Sequence, residues 1–396
     1  MTQATSPRGP LTGMRVLDCT HVIAGSWCSM LLADLGADVI KIEPPNGEVT
    51  RTRLGPFRAY DFVNRNKRAI AVDMTKSEGA AVLRRLAGWA DVWVENFRPG
   101  ALDRLGLGYD DLARAHPQLI YCSISGFGHD GPYRDRGGLD LVTQAMSGIM
   151  SFVGHAGDAP SSTAVPVSDL NAGTFAALGV VAAWAHKQQS GQGQHVETTL
   201  LESALAYTVW ESGMYLTLGA LPERRGSQHA LAAPYEALKT GDGWIVVGVS
   251  NQGLWRRFCE ATNLDALCDD VRFADPVSRV MNRVELKAAI EAQLSGDTTA
   301  VWLEKLLPAG IPCGPINTID KALADPQVQA RGLVVRMGDR DFIGSPIRLS
   351  RTPASVQRGP AEIGEHSREV LSEAGFSPSE VDALIASGYV LQGAGA

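Results

Sequence analysis

Along the first third of the chain, short apolar runs alternate with stretches whose apolar residues recur at helical spacing. Residues 15–19 read as a strand, Ala24-Gly25-Ser26 as a turn, residues 27–35 as a helix closed by Gly36, and residues 38–42 as a second strand. Further strands are expected at 69–72, 91–95 and 119–123, with helices at 77–89 and 101–115 between them. Regular βαβ alternation demands crossover connections, so the pattern predicts an α/β fold with a doubly wound, Rossmann-like parallel sheet. Beyond residue 138 the texture changes. Residues 140–151 and 170–188 read as two long apolar helices buried together, followed by a strand at 196–199 and a helix at 201–218. The turn-rich, charged stretch 219–234 marks a domain boundary. After it come a hairpin (235–239 with 244–249, around Thr240-Gly-Asp-Gly243) and helices at 254–261, 283–294 and 300–307, a small α+β domain. Residues 332–350 read as further β structure, and 367–374 and 378–387 as closing helices.

A length of 396 residues requires two domains or one elaborated domain. The net charge of −7 argues against a nucleic-acid surface and leaves room for a local basic pocket. The longest apolar run, 172–186, falls short of the roughly 20 residues of a membrane helix, and the polar first ten residues read as a frayed tail, not a signal peptide. No CxxC pair or regular spacing links the six cysteines, which read as reduced thiols of a cytoplasmic protein with no zinc site. No G-x-G-x-x-G follows the first strand, so the fold does not imply a dinucleotide. H-E-x-x-H and G-x-S-x-G are also missing, and no metal is expected.

Chemistry concentrates around Asp169, in Val167-Ser-Asp-Leu-Asn-Ala-Gly173, where a loop meets an apolar helix. The helix dipole at that position would keep a carboxylate ionised. Such a group can cap the helix, bind a cation, act as a base or attack a carbonyl. Asn64-Arg-Asn-Lys-Arg68 is either a solvated charge run or the far edge of a ligand site. Phe97-Arg98-Pro99-Gly100 with Arg104 follows a strand, where open sheets bind ligands. The Gly/Pro-rich loop 126–133 either covers a ligand or connects elements.

The segments Val16-Leu17-Asp18, Ala24-Gly25, 35–44, Asn64 to Arg68, 95–100, Asp103-Arg104-Leu-Gly106, 166–173, 310–315 and 364–366 together resemble the family III CoA-transferases, a group that includes the α-methylacyl-CoA racemases. The resemblance implies a Rossmann-like large domain built from residues 1–220 and 331–396, a smaller α+β domain at 221–330, and an interlocked homodimer. It implies that Asp169 attacks an acyl-CoA thioester. CoA binding would fall to Val22, Ile23 and Ala24, to Val72, Asp73, Met74 and Thr75, to Glu95, Asn96, Phe97 and Arg98, and to Arg104. CoA thioester would be a substrate and not a resident cofactor, and the partners would be an acyl-CoA donor and a small carboxylic-acid acceptor, with no nucleic acid or membrane involved.

Racemases of the group carry a His where this chain has Leu139, so a two-base proton exchange lacks a partner here. The formyl-CoA transferases carry a Gln where Ile23 stands and a Gly-rich loop where this chain has 226–233, which points away from oxalate as acceptor. Arg224, Arg225 and His229 lie in the interdomain connector, where the arginines are either solvated linker charges or contacts for a second carboxylate; the latter favours succinyl-CoA or another small dicarboxylyl-CoA as donor. The alternatives are a racemase and a non-catalytic acyl-CoA-binding protein.

Overall fold

The computed structural model describes residues 9–51 and 57–393; most of the polar N-terminal tail, residues 1–8, lies outside the described residues. Backbone packing divides the chain into two compact units. The first comprises the described parts of Met1–Met150, Ser162–Leu221 and Gln329–Ala396, and the second comprises Ser151–Ser161 and Pro222–Val328. Residues 151–161, assigned from the sequence to the large domain, thus group with the second unit. Hydrogen bonds tie them there: the Gly226 N–H donates to the Gly154 carbonyl (2.9 Å), Arg224 Nε donates to the Ser151 carbonyl (3.1 Å), and Arg224 Nη1 donates to the Asp158 carbonyl.

In the first unit, six parallel strands form one sheet: β1 (Arg15–Cys19), β2 (Asp38–Glu43), β3 (Lys67–Val72), β4 (Val92–Glu95), β5 (Ile120–Ser125) and β6 (His195–Thr199). Their spatial order is β3-β2-β1-β4-β5-β6, and Val390–Leu391 closes the β3 edge antiparallel. Alternate residues feed opposite faces, as the pleat requires. Leu17, Ile40, Trp93 and Tyr121 pack with the helices Ser77–Trp89, Tyr109–Ala115, Ser367–Glu373 and Pro378–Ala386. Val16, Val39, Val92, Val94 and Cys122 pack with Ala24–Asp34 and Val167–Ser190 on the other face. Burial on both faces explains why these strands read as continuous apolar runs.

Several expected helices are shorter than their apolar patterns. Residues 101–115 split into a 3-10 turn, Asp103–Leu105, and the helix Tyr109–Ala115, because Gly106 adopts left-handed backbone (φ 65°). Residues 140–151 break at Gly148 (φ 89°) into Asp140–Met146 and Ile149–Phe152, and 201–218 into Leu200–Ala206 and Val209–Leu218. Asp140–Met146 is not buried as expected: it packs through Thr143 and Gln144 and leaves Leu141, Val142 and Met146 exposed. The 172–186 run is part of a 24-residue helix, Val167–Ser190, long and apolar enough by length and composition to cross a membrane. Polar residues at both ends hid that length. In this fold Ala172, Gly173, Ala176, Ala177 and Val180 are buried, and the helix lies along Ala24–Asp34.

In the second unit, the hairpin Tyr235–Lys239 and Trp244–Gly248 gains a third strand, Cys313–Pro315, whose three residues carry no β pattern of their own. Ile245, Val247, Trp255, Phe258, Leu286, Ile290 and Trp302 form its core. Residues 332–350 contribute one short hairpin, Val334–Met337 with Arg340–Ile343, to the first unit.

Candidate active site

The strand order reverses between β1 and β4, and an open parallel sheet presents its binding crevice at the strand carboxyl ends of such a point. The loops leaving these two strands are clamped together. Asn96 Oδ1 accepts from the His21 N–H (2.7 Å), and Asn96 Nδ2 donates to the His21 carbonyl (2.8 Å). Phe97 meets the His21 ring edge-on at 4.7 Å. Val22 has left-handed backbone (φ 60°), unfavourable for a β-branched residue, and its N–H donates to Glu48 Oε2 (3.2 Å).

Beneath this loop lies a buried charge cluster. Lys67 Nζ donates to Asp18 Oδ2 (2.8 Å), to the Ser26 carbonyl (2.9 Å) and to Asn64 Oδ1 (2.8 Å). Lys41 Nζ donates to the Thr20 carbonyl (2.7 Å) and lies 3.5 Å from Asp18 Oδ1. Burial opposes the Asp18 charge, but the two ammonium groups hold its carboxyl well below the usual carboxylate range. Arg65 pairs with Asp34 (2.6 Å), and Arg68 with Asp38 (2.6 Å), Glu369 (2.5 Å) and Glu373 (2.8 Å). The 64–68 cluster is therefore not a solvated run: Lys67 supports the loop from below, Arg65 is buried against Asp34, and Arg68 pairs with carboxylates at the surface.

Asp169 is the third residue of the helix Val167–Ser190, which packs closely on the start of Ala24–Asp34. Gly173 permits that approach, because a Cβ there would stand 2.3 Å from the Ala24 carbonyl oxygen. Asp169 does not cap its helix. Asp140, at the start of another helix, supplies the cap: its Oδ1 accepts from the Ser168 N–H (2.8 Å) and the Asp169 N–H (3.4 Å), and its Oδ2 accepts from Gln144 Nε2 (2.7 Å). The Asp169 carboxylate accepts no hydrogen bond among the described residues. Burial, and then the Asp140 charge, push its carboxyl up to about 7. This is opposite to the ionising effect expected of the helix dipole, because burial outweighs it and Asp140, which accepts from the terminal N–H groups, adds a negative charge.

Asp169 lines a cavity of about 530 Å³ with Asp140, Val22, Ile23, Ala24, Asn96, Phe97, Arg98 and Arg136. Neither Arg98 nor Arg136 forms an ion pair among the described residues, so two guanidiniums without an ion-pair partner border the cavity. The loop at 126–133 also contributes: Gly126 lines the cavity and crosses Gly138 so closely that a Cβ on Gly126 would lie 2.5 Å from the Gly138 Cα. An adjoining cavity of about 220 Å³ shares Arg98 and contains Glu95, Ser123, His129 and His195. Burial pushes the Glu95 carboxyl up to about 7.

The structure thus gathers Asp169, Val22, Ile23, Ala24, Asn96, Phe97 and Arg98 around one cavity and places Glu95 beside it. Val72, Asp73, Met74, Thr75 and Arg104 do not line it. Val72 is fully buried opposite Val390, Asp73 Oδ1 accepts from the Thr75 N–H (3.1 Å), and Arg104 sits exposed in the 3-10 turn after β4. Asn96 spends both ends of its amide on His21. Sequence reading did not assign His21, Arg136 or the capping role of Asp140. A Gly-Gly pair directly before Leu139-Asp140 was the available signal of a tightly packed helix start.

Comparison with known proteins adds to this geometry. The family described as CoA-transferase family III matches residues 11–367. Succinate–glutarate CoA-transferase of Agrobacterium fabrum is 39% identical over 395 residues, covering 94% of this chain and 98% of that one. Succinyl-CoA:glutarate CoA-transferase of Mus musculus is 36% identical, covering 97% and 91%. Among solved structures, a CAIB/BAIF family protein from Brucella suis superposes with a TM-score of 0.86 at 35% identity, covering 93% of this chain and 100% of that one.

Proposed function

The chain belongs to CoA-transferase family III, and on that premise we propose that it moves CoA between small dicarboxylic acids, with Asp169 as the covalent nucleophile. The observation that carries this reading is the Asp169 carboxylate itself. It accepts no hydrogen bond among the described residues and faces a cavity bordered by the clamped 21–24 and 96–98 loops. The relatives named for succinate, succinyl-CoA and glutarate support succinyl-CoA as donor and a dicarboxylate as acceptor.

Asp169 attacks the thioester carbonyl, the C–S bond breaks, and CoA leaves as thiolate from an acyl–aspartyl anhydride. The thiolate then attacks the aspartyl carbonyl, expels the donor's carboxylate and leaves an aspartyl–CoA thioester. An acceptor carboxylate attacks that thioester and releases the thiolate, which attacks the acceptor's carbonyl and frees Asp169. Every step exchanges one activated acyl group for another, so no external energy source is required. The apolar helix behind Asp169 limits water that would hydrolyse the anhydride. Arg98 and Arg136 are the cations available for CoA phosphates, with Arg104 and the 72–75 turn as the outlying part of that footprint. At the racemase position Leu139 offers an exposed aliphatic side chain and no proton acceptor.

The proposal includes a cytoplasmic, interlocked homodimer. The helix Val209–Leu218 buries none of its residues and exposes Trp210 (79%) and Leu216 (81%), an apolar face that a second chain would cover. The six cysteines are free thiols, as suits a reducing compartment. The deciding experiment is Asp169→Ala assayed with succinyl-CoA and glutarate. Turnover should fall by more than about a thousandfold with native circular dichroism, and near-wild-type turnover would remove the mechanism.

A further inference from the structure

Glu48 follows β2 and is 3% exposed, and its side chain reaches the 21–24 loop without lining the cavity that Asp169 borders. We infer that Glu48 is a positioning residue for CoA transfer, holding the Val22 backbone in the conformation that sets Ile23 and Ala24 around that cavity; this rests on the CoA-transferase reading above.

Val22 joins two fixed points. On one side the Asn96 amide holds His21 through both its N–H and its carbonyl. On the other, Ala24 opens the 11-residue helix Ala24–Asp34, and the Trp27 N–H donates to the Ile23 carbonyl (2.7 Å). The chain between them passes through left-handed backbone at Val22 (φ 60°), where a side chain crowds the following carbonyl oxygen. Packing does not pin this turn, because the Val22 side chain is 38% exposed. What holds it locally is the hydrogen bond from the Val22 N–H to Glu48 Oε2 (3.2 Å).

Glu48 is itself braced. Its N–H donates to Glu43 Oε1 (3.1 Å) at the end of β2, and its own Oε1 accepts from the Thr50 hydroxyl. Arg51 grips Glu43 bidentately, Nε to Oε1 (2.7 Å) and Nη2 to Oε2 (2.6 Å), and its guanidinium lies over the Tyr60 ring at 3.7 Å. Tyr60 Oη donates to Glu43 Oε2 (3.0 Å), and Arg51 Nη2 also donates to the Ala361 carbonyl (2.9 Å). This paired fork ties the residue that holds Val22 to the sheet. Glu48 forms no ion pair among the described residues, and burial pushes its carboxyl up. What Val22 takes from it is an acceptor oxygen, which the neutral acid and its amide isostere both provide.

The test compares E48M, which keeps the volume and removes the acceptor, with E48Q, whose oxygen can accept from Val22 while its amide N–H donates to Thr50. Full-length wild type, both variants, V22G and V22G/E48M are assayed with succinyl-CoA and glutarate at pH 8, with circular dichroism as the folding control. E48M should lower kcat/KM by about 5- to 30-fold, the population ratio that disfavours left-handed backbone at a non-glycine residue. E48Q should stay within about twofold of wild type. Glycine takes left-handed backbone freely, so the E48M loss should shrink to about twofold when measured against V22G. A purely structural role for Glu48 would not be relieved by glycine at position 22. E48A carries the comparison if E48M does not fold. A folded E48M protein with unchanged kcat/KM, an E48Q loss equal to that of E48M, or an equal loss in both backgrounds would overturn the inference. A wild type that transfers CoA to no dicarboxylate would instead remove the functional reading. Amide hydrogen exchange at residues 21–24 would then still decide the role of Glu48: protection should be lost in E48M and kept in E48Q, and equal exchange in all three proteins would overturn it.

Discussion

The Asp140–Asp169 pair allows a quantitative test of how the nucleophile is tuned. Asp169 titrates near 7 because burial, and secondarily the Asp140 charge, disfavour its ionised form. Only the carboxylate attacks a thioester, so kcat/KM should fall as pH drops through about 7. Asp140→Asn removes the neighbouring charge and keeps an oxygen to accept from the Ser168 N–H. Burial contributes the larger share of the rise from 3.8 to about 7. The acid limb of the variant should therefore move down by about one pH unit, equivalent to about 1.4 kcal/mol. The cap is largely retained, whereas Asp140→Ala would also lose about 0.5–2 kcal/mol of stability. The assay is a pH profile of kcat/KM for succinyl-CoA with glutarate at constant ionic strength, with circular dichroism at each pH. The wild-type to variant difference isolates the pair, because titration of the CoA phosphates is common to both. A folded Asp140→Asn protein whose limb stays put, or moves up, would refute the electrostatic argument.

Asp169→Asn should be inactive yet more stable than wild type at pH 8. A carboxyl raised in the folded state costs stability progressively between about pH 4 and 7 and fully above, so removing it should add up to a few kcal/mol at pH 8 and little at pH 4, read by denaturant melts. Gly173→Val should push the nucleophile's helix off Ala24, lowering stability by about 1–3 kcal/mol and kcat with it. Equal activity and melting temperature would show the contact to be slack. Asn96→Ala opens both hydrogen bonds of the loop clamp, each worth about 0.5–1.5 kcal/mol, and should raise KM for the thioester more than it lowers kcat. Lys67→Met leaves Asp18 buried with Lys41 as its remaining cation, and should destabilise by about 3–5 kcal/mol in urea unfolding.

The parallel sheet was legible in the sequence because its strands are buried on both faces, and helical and extended periodicities report burial locally. Boundaries failed where one backbone conformation outweighed the side-chain pattern. Gly106 and Gly148, both left-handed, cut apolar stretches that continue past them. Asp169 stood out because a carboxylate before an almost wholly apolar helix is anomalous in one dimension. Its protonation state was misjudged because tertiary packing sets it: burial of the carboxyl first, and then the charge of Asp140 on another helix 29 residues away.

What the sequence determined by itself is therefore local: which segments are strands and helices, which carboxylate borders the apolar helix, and which loops follow strand ends. Tertiary structure alone decided the pairings that give those residues their chemistry. The Asn96 amide meets His21 across 75 positions, Lys67 meets Asp18 across 49, and Glu48 meets Val22 across 26. Such contacts follow from strand order and helix packing, which place distant residues together without leaving any periodic trace along the chain. For the same reason the 64–68 charge run carried no sign that it points inward. A cation's sequence neighbours do not reveal whether water or a buried carboxylate will solvate it.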